Sequence, residues 1–225
     1  MKISTPATIA VSALALMLAA GGANAQTISA TVTADNHYAF YTSDENGAFT
    51  YVGGNELGSG GSPGNYNWSL PETWNISTSP THLYIAAWSD NATAQGLLAQ
   101  ITYGVETYHS GNAAWEVYRS NADRNDGDPH PTAFEVNTWV DAATTGEQWE
   151  APFVGGNNGS YGPWGLVPGV TTDARWMWAG NPDLVDPMTS GSGHGETLVF
   201  RIAVPTPGAA AVLGLGSLLA FRRKR

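Results

Sequence analysis

A two-residue hydrophobic rhythm constrains this chain more than any other feature. It recurs in short stretches, each closed by Gly, Asn, Asp or Pro. Leu198, Phe200, Ile202 and Val204 alternate with Thr197, Val199, Arg201 and Ala203. Successive side chains of a strand point to opposite faces, so such a stretch reads as a strand with one face buried. Residues 27–33 (TISATVT), 37–41 (HYAFY), 49–52 (FTYV), 83–88 (LYIAAW), 97–103 (LLAQITY) and 115–119 (WEVYR) have strand character as well. Asp44-Glu45-Asn46-Gly47 is a hairpin turn signal, and Ala34-Asp35-Asn36 reads as a turn between two strands. Phe134, Val136, Thr138 and Val140 also fit period two and are expected to share one strand face. No long amphipathic helical pattern is visible. The pattern predicts an all-β fold, an antiparallel β-sandwich of roughly ten short strands with Gly-rich connections.

The two ends of the sequence have a different composition. Lys2 precedes an apolar run over 9–20 (IAVSALALMLAA), and Ala23-Asn24-Ala25 is an A-x-A cleavage site. This layout is that of a secretory signal peptide spanning 1–25, with Gln26 as the first mature residue. At the other end, Val204-Pro205-Thr206-Pro207-Gly208 leads into an apolar stretch over 209–221 and then Arg222, Arg223, Lys224 and Arg225. Thirteen mostly apolar residues fall short of the roughly 20 needed for a comfortable span. The basic cluster favours the cytoplasmic side of a membrane. The physics is that of a temporary membrane hold.

This tripartite tail resembles the PEP-CTERM sorting signal of bacteria with exosortase systems, here with Pro205-Thr206-Pro207 where Pro-Glu-Pro is usual. The resemblance covers residues 205–225. It implies export, a transient association with the inner membrane, processing by a sorting protease of exosortase type, and delivery to the cell surface or extracellular matrix. A second, more scattered resemblance covers the segment between the signals, 26–204. The stretch 33–41 (TADNHYAFY), the segments 83–90 and 95–99, and the pair 175–178 with 197–201 look like strands of galactose-binding-like jelly rolls. That resemblance implies a jelly-roll-like sandwich of a kind that commonly binds sugars or serves as a structural module.

Composition narrows the function classes. The chain has no Cys, which excludes disulfides, thiolate metal sites and cysteine nucleophiles. Five of its nine basic residues lie in the terminal signals, so 26–204 sets four Arg and no Lys against all nineteen Asp and Glu. So acidic a segment does not suit nucleic acid, whose phosphates need basic patches. It resists self-association, and divalent cations would screen it.

Candidate chemistry is sparse. Asp123, Asn125, Asp126 and Asp128 crowd oxygen ligands around Gly127, which suits calcium, although the spacing is not that of an EF-hand. Tyr66, Trp68, Trp74, Trp149 and Trp164 lie in or near loops and are the candidate stacking surfaces for an extracellular polysaccharide. Trp88 belongs on a continuous apolar strand and is assigned to the core, and Trp176 and Trp178 share a strand face. The five His are spread singly, without zinc spacing, and no G-x-S-x-G or phosphate-binding motif occurs. Sequons stand at Asn67, Asn75, Asn91 and Asn158. A structural or adhesive surface protein and a carbohydrate-binding module both fit. A glycan-acting hydrolase, drawing a carboxylate pair from the many acids, is a remote third.

Overall fold

The computed structural model describes residues 27–55, 70–89, 94–125, 128–161, 164–180, 186–189 and 196–205. Eleven strands and one helix are described. They are β1 (Ile28–Asp35), β2 (His37–Ser43), β3 (Phe49–Gly54), β4 (Glu72–Ile76), β5 (His82–Trp88), β6 (Gly96–Tyr103), β7 (Glu106–His109), β8 (Glu116–Asp123), α1 (Ala133–Thr145), β9 (Phe153–Asn157), β10 (Arg175–Trp178) and β11 (Glu196–Ala203). The strands form two antiparallel sheets. One runs β4-β1-β6-β10-β9, with β7 also paired to β6; the other runs β3-β2-β5-β11-β8.

The alternation seen in sequence has a direct spatial meaning. Ile28, Ala30, Val32 and Ala34 of β1 face Leu83, Ile85 and Ala87 of β5 and Leu198, Phe200 and Ile202 of β11 across one buried core. This is an all-β sandwich. Trp176 and Trp178 are both buried in it, as their shared face implied, and Trp88 is fully buried too.

The second sheet is covered on its outer face as well. Ala39, Tyr41, Tyr84, Ala86, Trp88 and Val199 form a separate cluster with Val136 and Val140 of α1. Ala39 and Ala86 are register partners, and their small side chains leave room for the helix. This second layer explains why β5 reads as a continuous apolar run instead of an alternating one.

The stretch 134–140, expected to be a strand, is the core of α1. Its buried positions are Val136, Val140 and Ala143, a helical spacing, while Phe134 is 79% exposed. Thr132 and Glu135 form a reciprocal capping box at the N-terminus, which satisfies helix amides that a strand would spend on a neighbour. Partial burial works against the Glu135 carboxylate. The Thr132 amide and hydroxyl, aided by the Arg124 guanidinium, outweigh it and hold this group below its ordinary value. The two periods coincide at Val136 and Val140, so this stretch satisfied both templates.

Two edge strands, β3 and β4, meet on one side of the sandwich. The Trp74 ring lies against Gly53, where a Cβ atom would come within 2.2 Å of it. The indole donates to Tyr38 Oη at 2.9 Å, and that hydroxyl donates to Glu72 Oε2 at 2.6 Å. At the end of the sandwich where β1 meets β2, the Trp164 and Trp176 rings stack 3.9 Å apart. Trp164 Nε1 donates to Asp35 Oδ2 at 2.8 Å. The segment 164–172 folds back along the first sheet and is organised by the buried Asn158. That amide donates to the carbonyls of Val167 and Val170 and accepts from the Val167 amide. Its burial leaves no room for a glycan on that sequon.

Candidate functional site

The register of the second sheet sets five side chains in one row across its outer face. Tyr51 pairs with Tyr41, Tyr41 with Tyr84, Tyr84 with Arg201, and Arg201 with Glu116. Strand parity places all five opposite the sandwich core. At one end Tyr41 is buried and its hydroxyl donates to the Pro131 carbonyl, while Tyr51, 38% exposed, stacks on His130 at 4.4 Å. The other end is half-open. Arg201 Nε donates to Glu116 Oε2 at 2.7 Å, and the guanidinium lies 3.8 Å from the centre of the Trp149 ring. His82 occupies the next row, 5.8 Å from Tyr84.

Such a surface offers hydrogen-bond donors and acceptors to a polar ligand. A half-exposed ion pair contributes at most about 1 kcal/mol. A cation–π contact at a partly open site adds roughly 0.5–1 kcal/mol. The row is therefore held mainly by the strand register beneath it.

Burial holds the His82 imidazole below its ordinary value of 6.5, and the Arg201 charge adds to the effect against the opposing pull of Glu116. The folded state thus favours neutral His82. Its contribution is fully present above pH 6.5 and is lost as pH falls from there through the lowered folded value. The expected result is a larger drop in urea midpoint between pH 7.5 and pH 5 for the wild type than for His82→Gln. Equal drops in the two proteins would contradict the assignment.

The sequence-selected residues do not converge on this row. Of the aromatic candidates, Trp149 borders it, but Arg201 covers one ring face and Tyr118 approaches at 6.0 Å. Trp74 closes the β3–β4 edge, and Trp164 is 3% exposed inside the core, stacked and hydrogen-bonded. Trp164 is thus a core residue in the structure, because the 164–172 segment packs onto the sheet instead of projecting from it. Tyr66 and Trp68 lie outside the described residues.

Asp126 also lies outside them. Asp128 Oδ2 accepts from the Asn125 amide at 2.6 Å, and Arg124, between Asp123 and Asn125, turns to Glu135 and to the Pro129 carbonyl. Among the described residues no three His, Asp or Glu side chains are grouped to hold a metal ion. Ala23, Ala25 and Gln26, and Thr206, Pro207, Gly208, Arg222, Arg223, Lys224 and Arg225, lie outside the described residues; Pro205 is the last one within them. Among the described residues no helix is long and apolar enough to cross a membrane.

Arg201, Glu116 and His82 escaped the sequence reading as a group. Alternation in β11 does place Arg201 opposite Phe200 and Ile202. The partners across the sheet depend on register, which joins residues 82, 116 and 201 from three distant segments. Set against known proteins, the chain matches no family model, no curated protein and no solved structure.

Proposed function

We propose that this chain is an exported surface protein whose 26–204 segment, a jelly-roll-like sandwich, serves a structural or adhesive role. In this reading the 1–25 segment directs secretion. The 205–225 segment then holds the protein in the inner membrane until an exosortase-type protease releases it to the cell surface or matrix. One observation carries the reading: the last described strand, β11, closes at Ala203, just before the Pro-Thr-Pro motif. β11 is a central strand, Val204 still donates its amide to the Thr81 carbonyl at 2.9 Å, and Pro205 is exposed. A segment that begins after β11 can be removed without taking a described strand from either sheet. Jelly-roll character is supported by the interleaving of early and late strands, with β11 between β5 and β8 and β6 between β1 and β10.

The structural role is favoured over a sugar-binding one because Trp74, Trp149 and Trp164 are all engaged by the chain itself. Carbohydrate binding remains a second reading on one observation, the half-open Arg201–Glu116–His82 surface, which suits hydroxyl-rich ligands. The test of the first reading is mass spectrometry of the exported protein. A mature C-terminus between Pro205 and Ala209 is expected, and a surface form that retains Arg225 would overturn processing. A glycan array separates the roles: silence fits the structural one, and binding lost in Arg201→Ala moves the conclusion to the second.

A further inference from the structure

Both terminal signals attach to the same end of the sandwich. Ile28, the first residue of β1, is the register partner of Tyr103, the last of β6. At the other terminus, Val204 and Pro205 line one apolar concavity together with Ile28, Tyr103 and Tyr108. The β6–β7 hairpin turns at this end through Gly104 and Val105, because Tyr103 pairs with Glu106. Gly104 takes the positive φ of +61° that the tight turn requires. Val105 stands at the tip, 96% exposed, and no described residue buries it. Tyr103 and Tyr108 flank it on the hairpin, each half-buried with part of its ring packed on the core.

We infer that this end is a membrane-facing surface, with Val105 and its flanking tyrosines in contact with lipid while the tail is still attached. The inference rests on the proposed reading of 205–225 as a membrane hold. Chain length keeps this end close to the bilayer on that reading. Three residues, 206–208, separate Pro205 from Ala209, where the apolar stretch begins, which makes four Cα steps. At full extension they reach about 14 Å. Pro205 is therefore held within about 14 Å of the hydrocarbon edge, in or beside the headgroup layer. An aliphatic tip between tyrosines suits that layer, where tyrosine rings place an apolar body and a polar hydroxyl.

Charge selects the lipid. Asp44 and Glu45 border the same end, and Glu106 follows Val105. The Asp44 carboxylate is turned into its own loop, accepting the Asn46 and Ala48 amides at 2.8 and 2.9 Å. The two glutamates are exposed at this end and would be repelled by an anionic surface, so the partner is a zwitterionic bilayer.

The absence of native Cys allows a direct test. The full chain carrying Val105→Cys, or Thr189→Cys as the far-end control, is labelled with an environment-sensitive fluorophore. Each is then placed in phosphatidylcholine nanodiscs containing a nitroxide near the headgroups. Thr189 is exposed and belongs to the segment whose Pro187 carbonyl receives the Gln95 amide, at the opposite end of β6. The eight residues of β6 put roughly 25 Å between the two ends, so quenching at position 105 is expected to exceed that at 189 by about threefold. Equal quenching at both positions in incorporated protein would overturn the orientation and leave the membrane hold standing. Failure of either protein to incorporate would overturn the membrane hold itself, and the orientation with it.

Discussion

Trp176→Ala is expected to lower the unfolding free energy of the sandwich by about 3–5 kcal/mol, the range for deleting a large aromatic side chain from a packed core. The residue is fully buried, and its ring stacks on Trp164 at 3.9 Å. Its indole nitrogen has no hydrogen-bond partner among the described residues, so truncation removes packing and not a polar bond. The neighbours have little freedom to fill the space. Trp164 is tied to Asp35, and Gly96 already lies so close that a Cβ there would come within 2.7 Å of Trp176. The loss also falls on a weakly paired flank: β10 meets β6 through the single register pair Met177–Leu97. Equilibrium urea unfolding checks this, with the midpoint falling and the slope unchanged. Trp176→Phe, which keeps much of the volume, should cost clearly less. A loss below about 1 kcal/mol for the alanine variant would contradict a stacked, fully packed site.

Val136→Asp is expected to destabilise the protein on the order of 4 kcal/mol, because it places an unpaired carboxylate between α1 and the sheet. Val136 is fully buried there against the outer face that carries Ala39, Ala86 and Val199. Phe134→Asp, only two residues away, is expected to stay within about 0.5 kcal/mol of the wild type. Phe134 is 79% exposed, and it lies in the first helical turn, where an acid complements the helix dipole. The pair discriminates between helix and strand. On a strand, positions 134 and 136 share a face and would respond alike. In the helix they point about 200° apart, since each residue turns about 100°. Similar losses from both variants would restore the strand assignment.

That contrast shows where the sequence was legible. β1, β2, β5, β6 and β11 were readable because each buries at least one full face, and burial writes itself into the alternation. β4, β7 and β9 were not read. Edge strands such as β4 and β9 bury little: β4 alternates half-buried and exposed positions before Ile76, and β9 is mostly half-buried around two glycines, so neither shows a clear apolar set. In α1 the capping residues Thr132 and Glu135 and the spacing of Val136, Val140 and Ala143 were present in the sequence. They were outweighed by an accidental period of two through Phe134 and Thr138. The aromatic candidates divide in the same way. A loop tryptophan looks identical in sequence whether it faces solvent or, like Trp164, folds back to stack on a strand residue.

What the sequence determined by itself is the set of strands that need a common core, the terminal segments that differ in composition, and the absence of cysteine chemistry. Those properties are local: periodicity, charge and residue type are read within a dozen neighbours. The tertiary structure alone decided which strands lie side by side, that α1 seals a second core behind one sheet, and that Arg201, Glu116 and His82 share a half-open face. It also brought both terminal attachments to one end, through the pairing of Ile28 with Tyr103 and the close of β11 beside them. These are products of antiparallel register between distant segments. Register depends on how whole apolar faces fit each other across the sandwich, and no short window of sequence contains that information.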